Sequence, residues 1–150
     1  MPAGRQGAEM VDVVREVRLK AKADAVWALI GGFNALPNWH PAVLSSNLSQ
    51  DDGATTRHLV IVGRIRLAER LLSHDDAART YRYTIADGPL PVEGYVSTVT
   101  VADQGDGTAT VRWSASFEPA GAPADVAVEA IQGIYDSGLN SLADRFGRAA

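Results

Sequence analysis

The longest regular pattern of apolar positions lies near the end of the chain, over residues 123–146. Small or apolar residues recur there every three or four positions, at Ala127, Ile131, Ile134, Gly138 and Leu142. Acidic and amide side chains repeat the same spacing on the opposite side, so the pattern predicts a long amphipathic α-helix. Gly133 and Gly138 each cost about 1 kcal/mol relative to alanine inside a helix. We therefore expect a strand or a ligand to approach this helix closely.

Upstream of this helix the pattern is that of strands and turns. Residues 11–20 alternate as in a strand, residues 23–33 begin with helical spacing, and the prolines of residues 34–41 permit only a short helix or a turn. From residue 43 onward, strand-like runs are separated by polar turns rich in Asp and Gly, which is typical of an antiparallel meander.

These elements together predict an α+β fold. A seven-stranded antiparallel sheet curls around the long C-terminal helix, with two short helices after the first strand. One helix cannot fill the whole concave side of such a sheet, so we expect a cavity between them, with a tightly packed core as the alternative. At 150 residues the chain predicts a single domain, residues 10–148, which follows a short disordered leader, residues 1–9.

Composition and charge narrow the classes of partner. The net charge is −4 and no block of Lys or Arg occurs, which argues against a nucleic-acid partner. Cysteine is absent, so disulfides and zinc–thiolate sites are excluded. The first residues lack the apolar core of a signal peptide, and no run is long enough to span a membrane. We therefore expect a cytoplasmic protein with no membrane partner, as a monomer or a homodimer.

Strand alternation predicts which side chains face the helix and the cavity. The inward set from the strands is Leu59, Ile61, Leu67, Glu69, Tyr81, Tyr83, Tyr95, Ser97 and Trp113, with Arg57 at the same parity near the rim. The apolar side of the C-terminal helix adds Ile131, Ile134 and Gly138. We expect these side chains to contact a ligand if the cavity exists.

Glu69 is the most unusual polar residue of the inward set. A carboxylate among apolar side chains costs several kcal/mol unless it is paired or protonated. Burial would raise its pKa toward neutrality and make it a usable general acid or base. A salt bridge to Arg57, Arg66 or another strand arginine is the alternative, and the sequence favours neither interpretation.

His40 follows Trp39 at the predicted mouth of the sheet. A single histidine is more often structural than catalytic, but one at this place can also hold an oxygen or transfer a proton near neutral pH. Trp39 is a candidate ligand contact because of its position beside His40. His40 and Glu69 would form an acid/base pair if both face one cavity.

The remaining polar groups suggest a ligand and no cofactor. The hydroxyls of Tyr81, Tyr83 and Tyr95 suit a cyclic, oxygenated ligand, although a tyrosine-rich core has the same pattern. His58 and His74 lie on an outward face and in a turn, so we expect no metal site. No glycine loop precedes a helix in a way that would bind phosphate, so we expect no cofactor.

The order of elements, the segments LPNWHP and ATVRWSASFEP, and the ending IYDSGLNSLADRF resemble the START-like helix-grip superfamily (SRPBCC). That superfamily includes polyketide cyclases and dehydrases, lipid carriers and the birch-pollen allergen group. The segment ERLLSHDDAARTYRYTIADGPLPVEGYVSTVTV is similar in spacing to the plant abscisic acid receptors. The resemblance implies a pocket closed partly by the Leu90 loop. It places Glu69 at a ligand-contacting position, and His40 where the receptors carry the lysine that binds the ligand carboxylate.

The sequence departs from the receptor pattern in two loops. The gate loop of the receptors corresponds here only to residues 62–64, and the latch loop corresponds to residues 87–92 without its His-Arg-Leu core. A hormone switch that recruits a phosphatase is therefore not expected.

Three functions remain open at this point. The preferred hypothesis is that the cavity binds a mid-sized hydrophobic, oxygenated small molecule and catalyses its cyclisation or dehydration, with Glu69 and His40 as acid and base. The second is a carrier or sensor in which the same residues only bind. The third is an interaction module with a filled core, which needs no cavity.

Overall fold

The computed structural model describes residues 10–150, so the predicted leader, residues 1–9, lies outside the described residues. The elements in chain order are β1 (Val11–Leu19), α1 (Ala23–Ile30), a 3-10 turn (Leu36–Asn38), β2 (Val43–Asp51), β3 (Ala54–Ile61), β4 (Ile65–Asp75), β5 (Thr80–Asp87), β6 (Val92–Asp103), β7 (Ala109–Pro119) and α2 (Ala124–Phe146). This order confirms the predicted α+β class and the long C-terminal helix. Of the two short helices expected after β1, the second is a 3-10 turn of three residues.

The strands form one seven-stranded sheet in the order β1-β7-β6-β5-β4-β3-β2. Each neighbouring pair is antiparallel, and β2 to β7 follow the meander predicted from the turns. The excursion through α1 and the 3-10 turn lets β1 pair with β7 instead of β2. The pairing of β4 with β5 shifts register at Ala68–Glu69 and again at Leu71–Ser73. Such irregularities bend a strand, so they curve the sheet beside Glu69.

Helix α2 crosses the concave side of the sheet and contacts β1 and β7. Its buried residues are Ala127, Ile131, Tyr135, Gly138, Leu139 and Leu142, which is the side that the apolar spacing predicts. The Tyr135 ring stacks on the Trp113 ring of β7, with centroids 4.2 Å apart and planes 14° apart. This stack fixes the depth at which the helix lies over the sheet.

The ends of α2 follow from its flanking residues. Pro123 is the residue before the first helical position, so the helix begins one residue later than the pattern over residues 123–146 indicated. Gly147 ends the helix with φ of 87°, a left-handed conformation that glycine adopts at little cost. Within residues 10–150, no helix has the length and apolar character that crossing a membrane requires.

Candidate functional site

A cavity of about 350 Å³ lies between the curved sheet and α2. Exposed residues of α2, Glu129 and Gly133, line one side of it, whereas buried residues, Tyr83 and Trp113, line the other. The cavity therefore runs from the interior of the domain to the surface beside α2. Its volume is within the range of pockets that bind small molecules.

Ten of the predicted site residues lie in the cavity wall. They are His40, Leu59, Ile61, Leu67, Glu69, Tyr83, Leu90, Tyr95, Trp113 and Ile134. Most of them come from the inward positions of β3 to β7, where strand alternation places side chains on the concave face. Their role in binding a ligand stays a prediction, but their position makes that role physically possible.

Six predicted ligand contacts are not in the wall: Trp39, Arg57, Tyr81, Ser97, Ile131 and Gly138. All six are buried, so they belong to the layer of core behind the cavity. Arg57 was expected near the rim, and that prediction is wrong because its side chain is fully buried. The ring of Phe33, from the segment between α1 and the 3-10 turn, covers the guanidinium at 4.2 Å.

The cavity wall also contains residues that were not predicted: Leu36, Ala42, Val43, Glu129, Ala130, Gly133 and Ser137. Helical spacing places Glu129 among the acidic and amide residues of the polar face. The cavity lies along the border between that face and the apolar one, so the helix presents both kinds of side chain to it. Gly133 had given a signal in the sequence as a glycine inside a helix. A Cβ built there would meet no atom within 4 Å, so no strand approaches the helix at this residue and the space belongs to the cavity.

Glu69, in the cavity wall, forms an ion pair with Arg57, which lies behind the wall. They are directly opposite each other on β4 and β3, and Arg57 Nε and Nη2 each lie 2.8 Å from Glu69 Oε1. Arg57 Nη1 donates to the Phe33 carbonyl at 2.9 Å. The structure therefore contains the salt bridge that the sequence had left open.

The ion pair sets the charge state of both partners. Burial raises the pKa of Glu69, and the Arg57 guanidinium opposes that rise. Burial would lower the pKa of Arg57, but the Glu69 carboxylate and the neighbouring tyrosines raise it overall. Arg57 is therefore a permanent cation, while Glu69 is a carboxylate made more basic by its surroundings.

His40 is held by the backbone on both sides of its ring. Nε2 lies 2.7 Å from the Ile134 carbonyl oxygen, and Nδ1 accepts a hydrogen bond from the Ala42 N–H at 3.2 Å. Since a carbonyl only accepts and an amide N–H only donates, the ring is the neutral tautomer with the proton on Nε2. Burial lowers the pKa of His40, which favours the same neutral form.

Local sequence explains how His40 reaches the helix. The 3-10 turn with Pro37 ends just before it, and the His40 N–H donates to the Leu36 carbonyl at 2.9 Å. Gly138 has no side chain to obstruct the ring, since a Cβ there would lie 2.8 Å from His40 Cδ2. The close approach expected at Gly138 is therefore made by this loop and by Trp113.

Four hydroxyl groups and one indole form a hydrogen-bonded network beneath the cavity. The single N–H of Trp113 Nε1 is shared between the hydroxyls of Tyr83 and Ser97, each at 3.1 Å. Ser97 also contacts the Tyr135 hydroxyl at 2.8 Å, and that hydroxyl bonds to Tyr95. Burial raises the pKa of Tyr83, Tyr95 and Tyr135 well above the usual value, so all three keep their protons.

The arrangement provides a cavity with apolar walls, one activated carboxylate and two tyrosine hydroxyls. It can hold a hydrophobic molecule, orient its oxygens and accept a proton at Glu69. Across residues 10–150, no group of three or more His, Asp or Glu side chains is placed to hold a metal ion.

Comparison with known proteins gives the family. A protein-family model described as "Polyketide cyclase / dehydrase and lipid transport" matches residues 10–147. A comparison with curated proteins found no match. Among solved structures, the protein XoxI from Bacillus cereus is 35% identical, with a TM-score of 0.86 over 91% of this chain and 95% of that one.

Two further structures extend the comparison. A protein from Bacillus thuringiensis is also 35% identical, with a TM-score of 0.85 over 91% of this chain and 98% of that one. The Zhui aromatase/cyclase from Streptomyces has a TM-score of 0.73 over 91% of this chain and 93% of that one, but its 16% identity shows the fold alone. The START-like resemblance is confirmed: this chain belongs to the polyketide cyclase/dehydrase and lipid transport family.

Proposed function

We propose that this protein binds a mid-sized hydrophobic, oxygenated small molecule in the cavity between the sheet and α2. The observation that carries the proposal is the cavity of about 350 Å³, whose wall is apolar except at a few convergent polar groups. Apolar lining supplies affinity through the burial of ligand surface, while a few fixed polar groups supply orientation. A carrier or sensor needs no more than this.

The polar groups limit what such a ligand looks like. Glu69 is the charged residue inside the cavity, and Glu129 is the one on its exposed side. No Lys or Arg side chain lines the cavity wall, and the nearby Arg57 is already paired with Glu69. A free carboxylate on the ligand would therefore have no cationic partner, so we propose a neutral or cationic ligand.

Filling the cavity tests binding directly. Native mass spectrometry of the purified protein, followed by extraction, would detect a retained compound, and 2-acetylnaphthalene is a suitable added probe of the cavity. We expect Gly133→Leu to prevent binding because its side chain enters open space in the wall. Gln132→Leu places the same side chain at the preceding helical position, which is outside the cavity wall, and is the matched control. Equal binding by both variants would contradict the proposal.

Catalysis at Glu69 is the second candidate function, and the basic, buried carboxylate favours it. Both contacts of Arg57 fall on Oε1, and Oε2 makes no hydrogen bond to the described part of the chain. We propose that this carboxylate removes a proton from a carbon beside a ketone, so that the carbon attacks a second carbonyl and closes a ring. Glu69 returns that proton to the new alkoxide, which becomes a hydroxyl. In the dehydration Glu69 removes a second proton from the same carbon, and that proton leaves with the hydroxyl as water.

His40 has a different role in this proposal from the one expected from sequence. Neither ring nitrogen is free to exchange a proton with a ligand, because both are bonded to backbone groups. We propose that His40 is a positioning residue that fixes the distance between its loop and α2. Glu69 is then the group that transfers the proton.

Heptane-2,6-dione is a simple substrate for testing this chemistry, because its cyclisation and dehydration give 3-methylcyclohex-2-enone and water. We expect the parent protein to form the enone faster than buffer does, and Glu69→Gln to lose that activity. Glu16→Gln, an exposed carboxylate on β1, is the control. Binding without enone formation would favour the carrier or sensor. The predicted cytoplasmic location and the monomeric or homodimeric state remain predictions.

A further inference from the structure

We propose that Tyr83 is the specificity-determining hydrogen-bond donor of the cavity and that its hydroxyl binds a carbonyl oxygen of the ligand. The inference rests on the proposed function, since it requires a ligand in the cavity. It follows from tracing each proton through the buried network of Ser97, Trp113, Tyr83, Tyr95 and Tyr135. Each hydroxyl has one proton to donate, so fixing one direction fixes the next.

The direction of the network is set at Ser97. Its hydroxyl donates to the Ser114 carbonyl at 3.0 Å, which can only accept. The single Ser97 proton is thereby used, so the other two contacts of this oxygen must be ones that it accepts. The indole N–H of Trp113 is one of them, at 3.1 Å, and the Tyr135 hydroxyl is the other, at 2.8 Å.

The direction at Ser97 also determines the hydrogen-bond directions of Tyr135 and Tyr95. Tyr135 donates its proton to Ser97, so it can only accept from the Tyr95 hydroxyl. Tyr95 therefore donates to Tyr135 and has no proton left for the cavity. Although Tyr95 lines the cavity, its oxygen can act there only as an acceptor.

Unlike Tyr95, Tyr83 has a hydroxyl proton that it can donate to a ligand. Its hydroxyl accepts from the Trp113 indole at 3.1 Å, and this is its one hydrogen bond to residues 10–150. Its own proton therefore has no protein acceptor, although the side chain is almost fully buried and lines the cavity. Buried donors are nearly always satisfied, so a group in the cavity must accept this proton.

The cavity thus has a defined polarity. On the buried side Tyr83 supplies a donor, whereas Tyr95 and the carboxylate of Glu69 supply acceptors. The Ser137 hydroxyl of α2 also lines the wall and can donate or accept. A ligand that satisfies the three buried groups has a carbonyl oxygen for Tyr83 and a hydroxyl or another N–H or O–H donor for the acceptors. The inferred class is therefore a ketone that also has an O–H or N–H group, and not a hydrocarbon or a fatty acid.

Two probes of nearly the same shape test the donor. In 2-isopropylnaphthalene a methyl group replaces the carbonyl oxygen of 2-acetylnaphthalene. Affinities are measured by NMR titration, and the infrared carbonyl band of bound 2-acetylnaphthalene reports hydrogen bonding. We expect the parent protein to prefer the ketone by roughly fivefold, as one net hydrogen bond implies, and to shift its band to lower frequency.

Tyr83→Phe should abolish both the preference and the band shift without weakening 2-isopropylnaphthalene. Tyr81→Phe removes a hydroxyl two residues away on the same strand, outside the cavity wall, and should change neither. If the parent binds both probes equally and the band does not move, the Tyr83 inference is wrong while cavity binding stands. If the parent binds neither probe, the proposed function itself fails. If Tyr83→Phe does not fold, Ser137→Ala decides the question, because it removes the aliphatic hydroxyl of the wall and should leave the preference and the band shift unchanged. Loss of both in Ser137→Ala would assign the donor to Ser137 instead of Tyr83.

Discussion

Arg57 and Glu69 are bonded inside the core, with two guanidinium nitrogens each 2.8 Å from one carboxylate oxygen. Removing one partner of such a pair leaves an uncompensated buried charge. We expect Arg57→Ala to lower the free energy of unfolding by about 3–5 kcal/mol in urea denaturation. Adding Glu69→Gln to that variant should recover part of the loss, because the remaining charge is then removed.

An exposed ion pair provides the control for this experiment. Arg79 contacts Asp24 at 2.7 Å, but the Asp24 side chain is largely exposed. Water screens such a pair, so Arg79→Ala should cost at most about 1 kcal/mol. If Arg57→Ala and Arg79→Ala lower the free energy of unfolding equally, the buried charge of Glu69 does not need Arg57 for stability.

The two glycines of α2 should respond in opposite ways to the same substitution. At Gly133 a Cβ meets no atom within 4 Å, so Gly133→Ala should stabilise the protein by about 0.5–1 kcal/mol through helix propensity. At Gly138 a Cβ would lie 2.8 Å from His40 and 2.9 Å from Trp113. Gly138→Ala should therefore destabilise by about 1–3 kcal/mol. Thermal unfolding of the two variants measures the difference, and stabilisation by both would disprove the contact at Gly138.

Acid should weaken the fold partly through His40. Burial lowers the pKa of His40 below its ordinary value of 6.5, so the unfolded chain binds more protons than the folded one in the interval below 6.5. The free energy of unfolding should therefore fall as pH decreases through that interval. His40→Gln keeps an N–H donor for the Ile134 carbonyl but cannot titrate.

The comparison of parent and His40→Gln isolates this contribution. Glu69 acts with the opposite sign, because its raised pKa gives stability that is lost as pH rises above 4.5. Both proteins share that effect, so it cancels in the difference between them. Urea denaturation at a series of pH values should give the variant the flatter profile below pH 6.5. Parallel profiles would mean that His40 titrates equally in both states.

The hydroxyl of Tyr135 should matter more than that of Tyr81. Tyr135 donates to Ser97 and accepts from Tyr95, so Tyr135→Phe removes the acceptor of the buried Tyr95 proton. Ser97 keeps its bonds to Ser114 and Trp113. We expect a loss of about 1–3 kcal/mol in the free energy of unfolding. Tyr81 makes a single long contact of 3.4 Å with Arg57, so Tyr81→Phe should cost less than about 1 kcal/mol. A larger loss for Tyr81→Phe than for Tyr135→Phe would contradict this hydrogen-bonded network.

Part of the site was predictable because strand alternation and helical spacing depend only on local geometry. They placed Glu69, Tyr83 and Tyr95 on the concave side, and the structure has them in the cavity wall. They also placed Tyr81 and Ser97 on that side, yet these two lie behind the cavity. Alternation reports the face of a strand but not which part of that face a neighbouring segment covers.

The chain by itself determined the seven strands, the long terminal helix and the inward direction of Glu69, since each follows from periodicity along a single element. Tertiary structure decided that Arg57 is buried beside Glu69, that both nitrogens of His40 are occupied, and that Tyr83 keeps a free proton. Each of these depends on contacts between residues far apart in sequence. The curvature of the sheet and the depth of α2 set those distances, and no local pattern encodes them.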